Sequence, residues 1–206
     1  MSRPTSHLYV ISAPSGAGKT SLVKALLAAR ANLAVSVSHT TRRQRPNEVD
    51  GRDYHFIDLP CFERMVAAGD FLEHARVFDN CYGTSQRQLE AQLAAGRDVI
   101  LEIDWQGARQ VRAALPACTS IFILPPSRAT LEQRLRGRGT DSPEVIARRL
   151  ADAVADMSHW SEFDYVVVND RFEQAAAELA AILDGHGAQQ RTDRPGIADF
   201  VARLLA

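Results

Sequence analysis

Residues 13–20 have the types and spacing of a loop that holds phosphate groups. Gly16 and Gly18 allow the backbone to curl so that several N–H groups point at one anion. Lys19 can reach the outer phosphates of a nucleotide, and the hydroxyl of Thr20 can ligate Mg²⁺. The sequence therefore predicts that the chain binds a nucleotide phosphate. The predicted binding residues are Ala13, Pro14, Ser15, Gly16, Ala17, Gly18, Lys19 and Thr20.

The elements on either side of this loop are those that a phosphate loop requires. Residues 8–11 are a continuous apolar run, typical of a buried parallel strand, and the apolar residues of 22–27 fall on one helical face. The helix N-terminus would add its partial positive charge at the loop. The strict form of the pattern begins with Gly, whereas Ala13 holds that place here.

Two acidic residues alternate with another apolar run. Residues 99–101 and Ile103 are apolar, so Glu102 and Asp104 would lie on one face near the end of a strand. Ligands of open parallel sheets collect at the carboxyl ends of the strands. We therefore expect an acid at this place to hold the metal or a substrate, with Glu102 near Mg²⁺, directly or through a water. The alternative is that Asp104 caps the helix that follows.

Short apolar runs alternate with helical patterns along most of the chain. The predicted strands are 8–11, 34–37, 99–103, 121–124 and 165–168, and the later predicted helices are 89–95, 108–115, 129–136, 143–157 and 172–183. Repeated strand–helix–strand units predict an α/β protein with three layers, α/β/α, around a central parallel sheet.

Two segments interrupt this alternation and predict additions to the core. Residues 38–83 are rich in Arg, aromatic and acidic residues, a composition that indicates a small inserted lobe. Residues 127–149 hold six arginines around a Gly-Arg-Gly break, which indicates a mobile lid. The predicted single domain thus has a core of 1–37, 84–126 and 150–184. Residues 185–206 form a C-terminal extension, with a polar linker to Gly196 and a short amphipathic helix over 197–205.

Composition excludes a disordered protein, a fibrous repeat and a miniature scaffold. With 206 residues, 46% hydrophobic and 24% charged, the chain has the profile of a soluble globular domain. Its 24 basic and 25 acidic residues give a net charge of -1, so no global charge indicates a nucleic acid or a membrane as partner. Cys61, Cys81 and Cys118 have no metal-ligand spacing and are typical of reduced thiols. We expect a cytoplasmic protein.

Further motifs follow the phosphate loop in a fixed order. They are 38–46 (SHTTRRQRP), 50–56 (DGRDYHF), 71–73 (FLE), 82–84 (YGT), 102–107 (EIDWQG), 125–127 (PPS), 134–139 (RLRGRG) and 168–170 (VND). Together with the loop, they make the sequence resemble the guanylate kinases, in particular the bacterial ones, from about Leu8 to Leu183. The resemblance implies transfer of the γ-phosphoryl group of Mg-ATP to GMP, and to dGMP, giving ADP and GDP.

The resemblance also implies which residues of the inserted lobe hold GMP. The phosphate would be held by Arg42, Arg45, Tyr54 and Tyr82, and the guanine by Ser38, Glu73, Thr84 and Asp104. Guanidinium forks and phenol hydroxyls suit a phosphate, and two carboxylates suit the N1–H and N2–H donors of guanine. AMP would leave buried carboxylates unpaired, and such a mismatch can give discrimination between substrates on the order of 10⁴-fold.

On the donor side, the resemblance implies catalytic and ATP-contacting residues. The catalytic ones are Lys19, Arg42, Arg134, Arg138 and Arg149, and Asn169 would lie near the adenine. Phosphoryl transfer needs charge neutralised on the equatorial oxygens more than it needs a nucleophile from the protein. We interpret Arg128, Arg136 and Arg148 as a solvated helix face and Arg43, Glu48 and Arg52 as surface charges, and we assign no role to His39.

Two other functions remain compatible with a phosphate loop. A ribose 1,5-bisphosphate phosphokinase would share the architecture, but a sugar phosphate needs no reader such as Glu73 and Asp104. A non-catalytic guanylate-kinase-like module that binds proteins usually lacks the loop lysine and the lid arginines, which this chain keeps. The C-terminal helix would either pack on its own core or join subunits into a homo-oligomer.

Overall fold

Strands and helices alternate along the chain, as the apolar pattern predicts. The computed structural model describes residues 6–77, 79–137 and 143–206. Its strands are β1 (Leu8–Ser12), β2 (Leu33–Val35), β3 (His39–Thr40), β4 (His55–Phe56), β5 (Phe71–Val77), β6 (Asn80–Ser85), β7 (Asp98–Glu102), β8 (Thr119–Leu124) and β9 (Tyr165–Val168). Its α-helices are α1 (Lys19–Ala29), α2 (Leu59–Ala68), α3 (Gln86–Ala94), α4 (Trp105–Ala114), α5 (Arg128–Arg136), α6 (Pro143–Met157), α7 (Phe172–Leu183) and α8 (Ile197–Leu205).

The larger sheet has five strands in the order β2-β7-β1-β8-β9. β2 pairs with β7 and β8 pairs with β9, both in parallel, with Leu33 opposite Asp98 and Ile121 opposite Tyr165. All five residues of β1 and five of the six in β8 are buried, as expected for parallel strands covered on both faces. The predicted α/β fold with a central parallel sheet flanked by helices is confirmed.

The smaller sheet is mixed and has the order β4-β3-β6-β5. β3 and β4 are parallel, whereas β6 runs antiparallel to both β3 and β5. Its strands lie in the segment in which the sequence predicts an inserted mixed lobe, except that β6 extends to Ser85, two residues beyond the predicted end. The register of β5 on β6 shifts between Phe71 and Glu73, and Glu73 then lies directly opposite Thr84. This pairing brings together two of the predicted guanine-binding residues.

The chain divides into two compact units. The first unit comprises the residues up to Val10 and Arg30–Thr119, and the second comprises Ile11–Ala29 and Ser120–Ala206. The first therefore contains the mixed sheet with α2, α3 and α4, and the second contains α1 and α5–α8. The finer division into core, inserted lobe and lid stays a prediction.

The C-terminal extension packs against its own unit. Ile197, Val201 and Leu204 of α8 are buried, which confirms the predicted amphipathic helix. The expected polar linker is more ordered than a spacer, since it holds a 3₁₀-helix (Gly187–Gln190) and Arg194 donates hydrogen bonds to the carbonyls of Val166 and Gln190. In the described ranges, no helix is long and apolar enough to cross a membrane.

Candidate functional site

The phosphate loop lies between the end of β1 and the start of α1, in the second unit. Gly16 and Gly18 have φ values of 92° and 96°, a backbone conformation that side-chain-bearing residues rarely adopt. Between them, the N–H of Ala17 donates to the carbonyl of Pro14 at 3.2 Å. Two left-handed residues so close together give the curled backbone that concentrates N–H groups on an anion.

Side chains of the same unit hold this loop from behind. A Cβ on Gly16 would lie 3.0 Å from Leu131 and 3.1 Å from Leu135, so α5 packs directly against the loop backbone. The buried amide of Asn169 donates from Nδ2 to the carbonyl of Ala17 at 2.7 Å. The family resemblance predicted Asn169 near an adenine, whereas the contact that we observe is a hydrogen bond that supports the backbone of the phosphate loop.

Arg134 is also tied to the loop. Its guanidinium donates from Nη2 to the carbonyl of Asn169 at 2.9 Å and makes a longer contact, 3.4 Å, from Nη1 to the carbonyl of Ala17. The structure thus brings Arg134, Asn169 and the phosphate loop together, although their sequence positions are far apart. A cation fixed in this way needs little reorganisation to meet a phosphate.

Gly18→Ala should remove nucleotide binding and lower stability, because a Cβ there would overlap the amide of Asn169. The backbone strain alone costs about 1–3 kcal/mol. The control is Gly185→Ala, which has a similar φ of 77° with no atom within 4 Å of the added Cβ. Urea unfolding and the KM for ATP measure both effects. Equal losses in the two variants would show that the contact with Asn169 is unimportant.

The remaining donor-side residues occupy different surroundings. Lys19 and Thr20 are the first two residues of α1, so the lysine charge adds to that of the helix N-terminus. Arg149 lies half-buried on α6, and Arg138 lies outside the described residues. The solvated helix face is confirmed, since Arg128 is exposed and two exposed ion pairs occur one turn apart along the helices. These pairs are Arg136 with Glu132 and Arg148 with Asp152.

In the first unit, Arg42 is held by an acid that the sequence analysis treated as a surface charge. Nη2 of Arg42 donates to Oε1 of Glu48 at 2.7 Å, and Oε2 of Glu48 accepts from the N–H of Arg45 at 2.8 Å. The side chains of Arg42 and Glu48 are only 14% and 15% exposed. The interpretation of Glu48 as a surface charge was therefore wrong, because a carboxylate between two arginines of one loop organises both. Arg43 and Arg52 are exposed, as expected.

This ion pair fixes the charge state of both groups. Burial disfavours the charged guanidinium, but the hydrogen bond and charge of Glu48 outweigh burial and raise the pKa of Arg42. Burial likewise favours the neutral acid, but hydrogen bonds from Arg42 and from the backbone of Arg45 lower the pKa of Glu48. Both groups are therefore ionised at neutral pH.

Two tyrosines complete the arrangement around Arg42, which we call the arginine–tyrosine cluster (Arg42, Arg45, Glu48, Tyr54, Tyr82). The guanidinium carbon of Arg42 lies 5.4 Å from the ring centre of Tyr54, and the rings of Tyr54 and Tyr82 meet edge to face at 5.9 Å. Burial, followed by the negative charge of Glu102, raises the pKa of Tyr54 to about 12. Its hydroxyl thus remains a donor at neutral pH.

The loop that carries Arg42 is anchored to β6 by two threonines that the sequence analysis did not single out. Oγ1 of buried Thr40 donates to the carbonyl of Cys81 at 3.0 Å and accepts from the N–H of Arg42 at 3.1 Å. Oγ1 of Thr41 accepts from the N–H of Cys81 at 2.9 Å. The paired threonines before the first arginine were the available signal, since hydroxyls readily bond neighbouring backbone.

The predicted guanine-binding residues of the lobe lie largely buried. Oγ1 of Thr84 donates to Oε1 of Glu73 at 2.6 Å, and the two residues are 0% and 2% exposed. Ser38 is also buried, and its backbone carbonyl accepts from the N–H of His55 on β4. A buried carboxylate of this kind is costly unless it is well paired, which makes it selective for a ligand that offers N–H donors.

Asp104 lies two residues beyond the end of β7 and begins α4. Its extended backbone and its Oδ1, which accepts from the N–H of Gly107 at 2.9 Å, make it the N-cap. Glu102 is the last residue of β7. The predicted strand was too long, because β7 ends before Asp104. Asp104 does cap the helix, and its Oδ2 accepts from Nε2 of Gln106 at 2.9 Å. Whether it also binds a substrate stays a prediction.

His39, to which the sequence analysis assigned no role, packs at the centre of the mixed sheet. Its ring stacks on His55 with centres 4.6 Å apart and meets Phe71 edge to face. His39 is 9% exposed, and its Nδ1 is buried without a hydrogen-bond partner. Burial and then the charge of His55 lower the pKa of His39, while Asp50, Asp70 and the carbonyl of Gly83 oppose them.

We expect the protein to lose stability as the pH falls below about 6.5, the ordinary pKa of histidine. The folded state keeps His39 neutral, so the unfolded chain binds this proton first and unfolding is favoured on acidification. His39→Phe should make the loss between pH 7 and pH 5 shallower, by at most about 1.4 kcal/mol per pH unit. Urea unfolding at each pH tests this, with exposed His7→Phe as the control. An unchanged slope in His39→Phe would assign the acid sensitivity to other groups.

Among the described residues, no group of three or more His, Cys, Asp or Glu side chains forms a metal site. The predicted ligands, the hydroxyl of Thr20 and the carboxylate of Glu102, are oxygen donors of the kind that Mg²⁺ prefers. Magnesium in phosphate-loop proteins is held by one or two such groups together with the phosphates of the nucleotide. Each of these oxygen donors, taken by itself, fits a metal that arrives with its substrate.

A curled glycine loop between a buried strand and a helix, braced by Asn169 in a parallel α/β fold, defines a phosphate-loop nucleotide-binding protein. A family model described as guanylate kinase matches residues 5–186. The guanylate kinase of Methylococcus capsulatus is 59% identical over 198 residues, covering 96% of this chain and 97% of that protein. The chain belongs to the guanylate kinase family.

Further relatives agree over the whole length. The guanylate kinase of Pseudomonas fluorescens is 54% identical over 205 residues, with 100% of both chains covered. Among solved structures, the guanylate kinase of Anaplasma phagocytophilum is similar with a TM-score of 0.71 and 32% identity, covering 98% of this chain and 97% of that one. The match therefore includes both compact units and the C-terminal extension.

Proposed function

We propose that this protein transfers the γ-phosphoryl group of Mg-ATP to GMP, and to dGMP, giving ADP and GDP. One observation carries the choice of acceptor: a buried carboxylate, Glu73, is bonded to Thr84 on β6, the same strand that carries Tyr82 of the arginine–tyrosine cluster. The carboxylate suits the base of GMP and the cluster suits its phosphate. The sequence relatives named guanylate kinase support the same reaction.

Guanine recognition follows from donor and acceptor chemistry. Guanine presents N1–H and N2–H donors, for which the carboxylates of Glu73 and Asp104 can act as acceptors, and the hydroxyl of Ser38 can donate to O6. The hydroxyl of Thr84 donates to Oε1 of Glu73 and so orients that carboxylate toward the base. Adenine lacks an N1–H, so AMP would leave a buried carboxylate without a donor. Such a mismatch is worth on the order of 10⁴-fold in kcat/KM.

Binding of the acceptor phosphate falls to the arginine–tyrosine cluster. Arg42 is held by Glu48 and by the carbonyl of Arg43, so its fork has a set orientation before GMP arrives. Arg45 is 54% exposed and can turn toward a phosphate. The hydroxyls of Tyr54 and Tyr82 offer further donors to the phosphate, and the raised pKa of Tyr54 keeps its hydroxyl neutral.

On the donor side, the phosphate loop would bind the β- and γ-phosphates of ATP through its N–H groups, with Lys19 between the donor and acceptor phosphates. Thr20 would hold Mg²⁺, with Glu102 through a water; the metal neutralises charge on the phosphate oxygens when bound. Arg134, fixed against the loop, and Arg149 and Arg138 would neutralise the transferred group. These roles follow the charge that develops in a phosphoryl-transfer transition state.

The decisive experiment measures ADP formed by purified protein from Mg-ATP with GMP, dGMP, AMP, CMP, UMP or ribose 1,5-bisphosphate. Turnover on GMP far above AMP, lost in Lys19→Ala, supports the proposal. Turnover only on the sugar phosphate would instead identify a ribose bisphosphate phosphokinase. ATP binding without transfer to any acceptor would indicate a protein-binding module.

We further propose that the protein is cytoplasmic. Cys61, Cys81 and Cys118 are all free thiols, which suits a reducing compartment.

The apolar stripe of α8 is buried in its own unit, and none of the exposed large apolar side chains of the described residues lies on that helix. Any homo-oligomer through the extension would therefore have to use residues other than this stripe. Light scattering at several protein concentrations and salt concentrations tests for it.

A further inference from the structure

The first turn of α4 contacts both of the acids that we propose to recognise guanine. Asp104 caps the helix, and its two carboxylate oxygens accept from Gly107 and Gln106 respectively. Gly107 itself is buried against the carboxylate of Glu73 on β5. One short stretch of chain thus determines where each carboxylate lies.

At Gly107 the absence of a side chain is the requirement. A Cβ at this position would overlap Oε2 of Glu73 and lie 3.0 Å from its carboxyl carbon and 3.4 Å from Oδ1 of Asp104. The residue lies within the helix, where alanine is the better helix former, and its φ is not in the left-handed region. The glycine therefore disfavours the helix locally and leaves room for the acid. Since Oε1 of Glu73 is held by Thr84, the carboxylate cannot move away without losing that bond.

Gln106 holds the other acid and ties it to the edge of the mixed sheet. Its Nε2 donates to Oδ2 of Asp104 at 2.9 Å and makes a longer contact, 3.4 Å, with the carbonyl of Arg76 on β5. One turn later, Gln110 makes a comparable contact with β5, since its side chain accepts from the N–H of His74 and donates to the carbonyl of the same residue. Gln110 thus docks the helix on the sheet, whereas Gln106 also orients an acid.

We propose that Gln106 and Gly107 are positioning residues that set the selectivity for the guanine base, acting through Asp104 and Glu73. This inference rests on the proposed reading of guanine by these acids. Gly107 sets how closely the carboxylate of Glu73 approaches α4, and Gln106 sets the rotation of the Asp104 carboxylate. Neither residue needs to touch the nucleotide.

The test compares GMP with IMP, whose base lacks the 2-amino group, in Gly107→Ala, Gln106→Leu and the control Gln110→Leu. Gly107→Ala should lower kcat/KM for GMP about 10²-fold and reduce the preference for GMP over IMP at least tenfold, with the KM for ATP within about twofold of wild type. Gln106→Leu should show the same pattern at about tenfold. Gln110→Leu removes only the helix docking and should leave the GMP to IMP ratio unchanged.

A double-variant comparison separates positioning from folding. In a Glu73→Ala background the added methyl has room, so Gly107→Ala should cause no further loss of kcat/KM and should raise resistance to urea. Equal losses on GMP and IMP in Gly107→Ala, or the same loss with and without Glu73, would overturn the inference. Glu73→Gln tests the underlying assumption separately. If that variant keeps the preference for GMP over IMP, the reading of guanine by Glu73 fails, and the inference fails with it.

Discussion

Lys19→Met is expected to lower kcat for GMP phosphorylation by about 10²- to 10³-fold, the usual cost of removing one preorganised donor to transition-state charge. Lys19 opens α1 directly after Gly18, so its ammonium adds to the charge of the helix N-terminus. Methionine keeps a similar stem and removes the charge. Initial rates with saturating Mg-ATP and GMP measure the effect.

The chain supplies a matched control for this substitution. Of its 24 basic residues only Lys19 and Lys24 are lysines, and both belong to α1. Lys24→Met alters the exposed side of the same helix and should leave kcat within about twofold. Lys19→Arg should not restore activity, because a planar guanidinium is larger than an ammonium and differently hydrated. A rise in the KM for ATP with unchanged kcat would instead assign Lys19 to ground-state binding.

Arg42→Ala is expected to lower kcat/KM for GMP about 10²-fold or more, mainly through the KM for GMP. The substitution removes the paired donors that we propose for the acceptor phosphate, and it also leaves Glu48 without its closest cation. Steady-state kinetics with GMP as the varied substrate measure the effect. The KM for ATP should change little, because the proposed role of Arg42 is to bind the acceptor phosphate.

Its neighbour provides the comparison. Arg43 is exposed, and it is its backbone carbonyl that accepts from Arg42, a bond that Arg43→Ala keeps. The substitution removes an equal charge and should change kcat/KM less than about threefold. Arg42→Lys keeps the charge without the paired donors and should fall between the two. If Arg43→Ala were as harmful as Arg42→Ala, general attraction of the phosphate by positive charge would replace specific binding as the explanation.

The sequence predicted the elements well wherever local pattern decides them. The apolar runs at 8–11, 121–124 and 165–168 are strands, and the helix predicted over 197–205 is α8. These predictions held because burial on both faces requires a continuous apolar run, and a half-buried helix requires apolar residues on one side. The end of β7 was misjudged because alternation continues through Ile103, although a capping aspartate had already begun the next helix.

The candidate site divides in the same way. The phosphate loop is contiguous, so its glycines, lysine and threonine could be read directly from the chain. The role of Glu48 could not be read in this way, because its carboxylate orients Arg42 only once a turn of the folded chain brings the two side chains together. Asn169 was assigned to the adenine, and only the packed structure reveals its bond to Ala17, from a residue distant in sequence.

By itself, the sequence determined the fold class, the phosphate loop and the family resemblance, since each depends on residue types at short, fixed spacings. The tertiary structure decided which side chains meet: Glu73 with Thr84 across two strands, and Gly107 with the carboxylate of Glu73. Such contacts join residues on different elements, and their distances depend on strand register and helix packing. No local periodicity encodes them, because the same pattern of apolar and polar residues is compatible with many neighbours for each side chain.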